Sequence, residues 1–307
     1  MRNEMIRTLE GLAESDPNLM LVTGDLGFGV LTRFSDRFPR QFVNAGVAEQ
    51  NMTGLAVGMA LEGKTVFTYS IGNFPTLRCL EQIRNDACYH NANVKVVCIG
   101  GGFTYGSLGI SHHATEDLAI LRALPNMTVI APGDPVETAA ATRAVYEIPG
   151  TCYLRLGRGG EPRVHSGSID FHVGKAIRLF EGEDVAILST GGILKVAYDA
   201  REKLAASGLR VGLFSVHTVK PIDCKLVVEL ARTVGLIVTL EEHTIIGGLG
   251  GAVAEIIAQM SGTKSNLEMI GLGDCFSSVV GDQEYLRSVY GLTVDDVVSR
   301  VGARIIS

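Results

Sequence analysis

The sequence predicts an α/β protein of two domains, each a mostly parallel sheet with helices on both faces. Three observations carry that expectation. Short apolar runs alternate with helix-like stretches along most of the chain, and runs that are apolar throughout mark strands buried on both sides, as in parallel sheets under crossover helices. At 307 residues the chain is longer than one ordinary core sustains. The strand–helix rhythm also breaks once, at the glycine- and charge-rich stretch 157–184, and then resumes.

The N-terminal MRNEMIRTLEGLAESDPNL reads as a charged amphipathic helix without the apolar core of an export signal. Strands of the first domain are expected at 19–24, 64–70, 94–101, 127–132 and 151–156, with helices at 49–61, 75–91, 115–124 and 134–147. A linker near 160–182 separates a domain over 1–165 from a smaller one over 166–307. The second domain should draw its strands from 185–190, 209–216, 236–242 and 267–272.

Composition narrows the function classes. A net charge of -6 with no lysine- or arginine-rich run argues against nucleic acid as a partner. No apolar run approaches the 18 or so residues of a membrane span, so the chain reads as cytoplasmic. The six cysteines show no Cys-x-x-Cys and no zinc-ligand spacing, so no metal site is expected. Three glycine clusters, at 23–30, 99–106 and 241–257, invite a phosphate-loop reading. None completes G-x-G-x-x-G, and tight strand-to-helix turns explain them as well.

Two places carry candidate chemistry. In NAGVAEQNMTGLAVGMALEG, Glu49 stands among apolar residues, with no lysine or arginine within eight positions on either side. It has no local ion-pair partner, and a buried lone carboxylate is costly. A helix N-terminus welcomes an acidic residue, but that accounts only for an exposed one. Apolar surroundings should raise its pKa and let it hold a proton. In GISHHATEDLAILRALPN, His112 and His113 precede a helix whose first turn holds Glu116 and Asp117. They can be ordinary loop histidines or functional ones, and no third ligand makes them a metal site.

Together, NAGVAEQNMTGLAVGMALEGKTVFTYS, GISHHATEDLAILRALPNMTVIAPGDPVE and YLRLGRG resemble the pyrimidine-binding domain of the transketolase family, and SVHTVKPID and TLEEHTIIGGLGGAVAE resemble its C-terminal domain. The resemblance implies a thiamin diphosphate enzyme. It implies that Glu49 hydrogen-bonds N1′ of the cofactor's aminopyrimidine and drives the 4′-amino group to its imino form, which deprotonates C2 of the thiazolium. It implies that Phe74 stacks on that ring, with a plain core phenylalanine as the alternative. Ile71 stands where relatives carry a further aromatic, and Asp25 matches an acidic residue near the cofactor, though a helix N-cap would look the same. His112 would face substrate oxygens and move protons, His113 stands in place of a common glutamine beside the substrate, and Arg158 would hold a substrate phosphate, unless it forms a linker salt bridge. Leu108 replaces an aspartate that contacts a donor hydroxyl in sugar transketolases.

Full-length members also carry a diphosphate-binding domain with G-D-G and a downstream asparagine for magnesium, which this sequence does not show. The expectation is therefore the small subunit of a split transketolase. It would pair with itself as a homodimer core and with a large subunit holding magnesium and diphosphate, and would move a ketol unit between sugar phosphates. A 2-oxo acid dehydrogenase β subunit, a deoxyxylulose-phosphate synthase-like enzyme and a non-catalytic interaction subunit are the alternatives.

Overall fold

Mainly apolar runs become strands with no wet face, and even Lys95 and Arg155 within them are buried. Leu19–Thr23, Val94–Ile99 and Thr151–Leu156 are buried along their whole length, as a sheet covered on both sides requires. The computed structural model describes residues 1–306. In the first half, α1 (Arg2–Ala13), β1 (Leu19–Thr23), α2 (Thr32–Arg37), β2 (Phe42–Asn44), α3 (Glu49–Leu61) and β3 (Thr65–Ile71) come first. They are followed by α4 (Leu80–Gln82), β4 (Val94–Ile99), α5 (Asp117–Arg122), β5 (Met127–Ile130), α6 (Pro135–Glu147) and β6 (Thr151–Leu156). The second half holds β7 (Ile177–Phe180), β8 (Val185–Thr190), α7 (Leu194–Ala206), β9 (Val211–Ser215), β10 (Thr218–Lys220) and α8 (Cys224–Thr233). It ends with β11 (Leu236–Thr244), α9 (Leu249–Ile257), β12 (Asn266–Leu272), α10 (Gln283–Val289) and α11 (Val294–Ile306).

The strands form two sheets, ordered β10-β5-β6-β4-β3-β1-β2 and β12-β11-β8-β9-β7. All neighbours run parallel except β10 with β5 and β7 with β9. Each sheet has a separate apolar core on either face. Met52, Ala56 and Ile83 lie in one core of the first sheet, Leu9, Phe34 and Phe67 in the other.

The fold departs from the sequence reading in two instructive ways. First, β10 belongs to the second half of the chain yet completes the first sheet, pairing Thr218 with Ile130 and Lys220 with Val129. The Lys220 ammonium then donates to the carbonyls of Arg122 and Leu124 behind α5. Second, the helix expected over 75–91 is wound unevenly: a 3₁₀ turn at Leu77–Cys79, then α4, then a π-helix over Ile83–Cys88. In that last part the Tyr89 N–H bonds the Arg84 carbonyl, five residues back. Such re-phasing turns side chains away from their α-helical face and recurs beside functional sites.

The linker is pinned rather than loose. Asp134 caps α6 by accepting from the Glu137 N–H at 2.9 Å, and its other oxygen accepts from the N–H groups of Val164 and His165. The His165 ring lies between Asp134 (3.2 Å) and Glu137 (3.4 Å). Burial pushes the Asp134 carboxyl up, but these hydrogen bonds, led by that of the His165 ring, outweigh it and bring it down to about 2.

Candidate functional site

In an open parallel sheet, ligands meet the carboxyl ends of the strands, and the sequence-predicted residues gather there. β1 ends at Thr23, and Gly24 then passes so close to α3 that a methyl on its Cα would lie 3.4 Å from the Glu49 Cγ. Asp25 follows in a left-handed conformation (φ 58°). It is locked to Asn44 at the end of β2: the Asn44 Oδ1 accepts from the Asp25 N–H at 3.0 Å, and the Asn44 amide donates to Asp25 Oδ1 at 2.9 Å. Asn44 Oδ1 also accepts from the Gly46 N–H. The N-cap alternative for Asp25 thus falls away, since α2 begins at Thr32.

Glu49 opens α3 and is 3% exposed. It is not unpartnered, which corrects the sequence reading: Arg78 Nη1 donates to Glu49 Oε2 at 2.7 Å. The partner arrives from 29 positions away, beyond any local spacing rule. It is the one lysine or arginine between Lys64 and Arg84, and it stands four residues after Phe74. Its Cζ lies 4.6 Å from the Phe74 ring centroid, so one flat cation touches both the carboxylate and the aromatic face.

Beyond Phe74 the contacts continue. The His112 ring meets it edge-on with centroids 5.1 Å apart. Two features hold these turns together. Gly72 (φ 49°) passes the His112 carbonyl where a Cβ would stand 3.0 Å from the oxygen, and the Asn73 amide donates to the His113 carbonyl at 2.7 Å. Only glycine combines that φ with that approach. His112 is half-buried, with Nδ1 3.0 Å from Ser111 Oγ. Burial, and then the neighbouring His113, hold its imidazole below the ordinary value, so it is neutral at pH 7 and free to accept a proton. Tyr105 stands 6.5 Å from His112, and Arg158 lies 5.9 Å over Tyr105. Arg158 is exposed and makes no ion pair among the described residues, so the linker salt bridge is not formed.

His113 is placed differently from its neighbour. Its ring is fully buried, with Nε2 3.1 Å from the Gly106 carbonyl and an edge on Phe103 at 5.3 Å. No part of the ring faces the rim where His112 and Arg158 stand; it supports the loop beneath. Ile71 ends β3 half-buried, and its carbonyl accepts the Phe74 N–H. Leu108 is exposed at the rim. Sequence reasoning missed Arg78 and Tyr105, and the spacing of Arg78 from Phe74 was the available signal for the first.

The result is a continuous path, Glu49–Arg78–Phe74–His112–Tyr105–Arg158. It offers an acceptor and an aromatic face for a flat heterocycle at one end, a neutral imidazole in the middle and a free cation at the other. No group of three or more His, Cys, Asp or Glu is arranged to hold a metal among the described residues.

Known proteins bear on this arrangement. Residues 1–161 match the transketolase pyrimidine-binding domain, and residues 174–297 match the transketolase C-terminal domain. A provisionally named transketolase C-terminal section of Methanocaldococcus jannaschii is 39% identical over 304 residues, 98% of this chain and 95% of the relative. A 6-deoxy-6-sulfo-D-fructose transketolase subunit of a Clostridium species is 36% identical, covering 97% of this chain and 92% of that one. A split-gene transketolase solved as an inactive β4 tetramer superposes with a TM-score of 0.91 at 38% identity, covering 99% and 98% of the two chains.

Proposed function

The chain belongs to the transketolase family as a small subunit of the split type, and from that premise we propose that it supplies the pyrimidine half of a thiamin diphosphate site for ketol transfer. The observation that carries the reading is the path from Glu49 to Arg158. The residues present fit the aminopyrimidine. Glu49 offers a buried carboxylate and Phe74 an aromatic face, and the planar Arg78 guanidinium touches both, at 2.7 Å and 4.6 Å. When bound, the cofactor supplies a thiazolium carbon that accepts a two-carbon ketol unit and passes it on.

The chain's own residues do the rest. Glu49, itself buried, holds or releases a proton toward the ring nitrogen. Phe74 and Ile71 orient the ring, and Asp25, fixed by Asn44, sets the loop beside it. His112, neutral at physiological pH, takes and returns a hydroxyl proton of the sugar. Arg158, unpaired at the rim, holds the anionic end of the donor. The Clostridium relative is named for a sulfosugar, whose terminal anion is not a phosphate, and a guanidinium fork binds either. The donor class is therefore a ketose with a terminal anion, sugar phosphates first.

Magnesium and diphosphate are assigned to a separate large subunit, with this chain self-associating as the core of the complex. The inactive β4 tetramer of the split-gene neighbour supports that division. We place the domain boundary near 165, within the pinned linker, and the assembly in the cytoplasm, in keeping with six unpaired cysteines. No helix among the described residues is long and apolar enough to cross a membrane.

The test is calorimetry with magnesium and thiamin diphosphate, on the chain alone and after co-purification with its large subunit. Tight thiamin diphosphate binding and ketol transfer should need both polypeptides. Tight binding or turnover by this chain alone would overturn the split-subunit reading.

A further inference from the structure

We infer that Arg78 is an internal ligand of the pyrimidine seat: its guanidinium takes the place between Glu49 and Phe74 that the cofactor ring needs, and the ring binds by displacing it. The inference rests on the reading of Glu49 and Phe74 given above.

Three features carry it. The first is mimicry of shape and polarity. A guanidinium is flat and delocalised, with its N–H donors in the plane, so it can donate edge-on to a carboxylate while its face lies on an aromatic ring. Arg78 does both at once, through Nη1 to Glu49 Oε2 and through Cζ over Phe74. An aminopyrimidine with a proton on N1′ would offer Glu49 the same N–H edge and Phe74 the same face.

The second is the asymmetry of the pair. The Glu49 side chain is 4% exposed and that of Arg78 48%. The carboxylate cannot reach water, but the arginine can swing out along its stem without disturbing the core. The third is the strength of the hold. The Arg78 side chain has one ion pair and one ring contact and is itself half in water, so its hold is modest even though Glu49 is buried. A self-ligand of that strength lowers apparent affinity by the fraction of time it leaves the seat open, roughly tenfold. While in place it also keeps Glu49 from standing as an uncompensated buried charge.

The test uses the purified full chain and free thiamin, which carries the pyrimidine but no diphosphate, titrated by ligand-observed NMR. Arg78→Ala and Arg78→Met should each bind thiamin about tenfold more tightly than the unchanged chain. Without ligand, both variants should melt at a lower temperature, and thiamin should raise their midpoint by more than it raises that of the parent. Unchanged or weaker thiamin binding in both variants, or no measurable binding by either, overturns the inference. The complex with the large subunit separates this failure from a wider one. If that complex still binds thiamin diphosphate, the transketolase reading stands without the self-ligand. If the unchanged complex binds none, both fall.

Discussion

The carboxyl ends of the two sheets look alike in sequence and differ in what they leave free. Behind the first sheet stand Glu49, His112 and Arg158; at the end of β11 stand Glu241, Glu242 and His243, in TLEEHT. The second set is spent internally. Glu241 accepts from the N–H groups of Leu249 and Gly250, at 2.7 Å each, and so anchors the start of α9. Glu242 crosses to the first half, accepting from the Phe103 N–H at 2.6 Å, from Gln283 and from the buried Arg287. His243 is fully buried, with Nδ1 2.7 Å from the Thr244 carbonyl. In the first set Glu49 is paired only to the half-exposed Arg78, His112 is a neutral imidazole, and Arg158 makes no ion pair among the described residues. The two edges differ in how far their polar groups are already bonded within the chain, not in which groups they hold.

If that difference is real, exchanging one carboxylate at each edge should give opposite phenotypes. Glu49→Gln keeps the shape and leaves Arg78 in contact with water, so thermal unfolding should barely change. Turnover of the assembled complex should fall by roughly 10³-fold, the range expected when a proton-holding group is lost. Glu242→Leu should do the reverse. It strips a buried guanidinium and a buried N–H of their acceptor, a loss of about 3–5 kcal/mol, read as a lower denaturation midpoint, with per-folded-molecule activity kept. A large activity loss in folded Glu242→Leu, or a large stability loss in Glu49→Gln, would break the comparison.

His112→Ala sharpens it further, with an expected fall of roughly 10²-fold in kcat and little change in cofactor affinity by calorimetry. Unaltered kinetics would return His112 to the company of His243.

The smallest effect concerns the seam between the halves. His217 is fully buried against the Phe171 ring, and burial, helped by nearby His165, pushes its imidazole from an ordinary 6.5 down to about 3. It is neutral in the folded chain, while the unfolded chain takes up a proton below about 6.5. Its contribution is therefore complete above that pH and is lost as pH falls toward about 3, on the order of a few kcal/mol across the window. Thermal melts of His217→Gln should show a flatter acid slope than the parent. Parallel slopes would remove His217 from the account.

The sequence displayed the long, wholly buried strands because continuous apolar runs have few other uses. It concealed β7 and β10, which are four and three residues long and lie at sheet edges, where apolar patterning is thin. Glu49 was legible as an anomaly, a charge in an apolar stretch, but its partner was not, because Arg78 reaches it through tertiary folding. His112 and His113 are adjacent and chemically identical, and only the backbone turn decides that one faces the rim and the other the core. TLEEHT shows the converse, since nothing local says that Glu242 is needed 139 residues away at Phe103.

The strand β10 bears on inheritance. Along the gene, the clean place to cut or trade halves is the glycine-rich stretch near 160–182, where composition changes. In space that cut is not clean. A first half exchanged without 218–220 would show the open edge of β5, a row of unpaired backbone groups that invites other strands. It would also lose the ammonium of Lys220 behind α5, the helix that follows His112 and His113. Natural shuffling of the second half therefore carries a hidden condition. The incoming segment must bring its own short strand in register with Val129 and Ile130, or the recombinant leaves that edge of the first sheet uncovered.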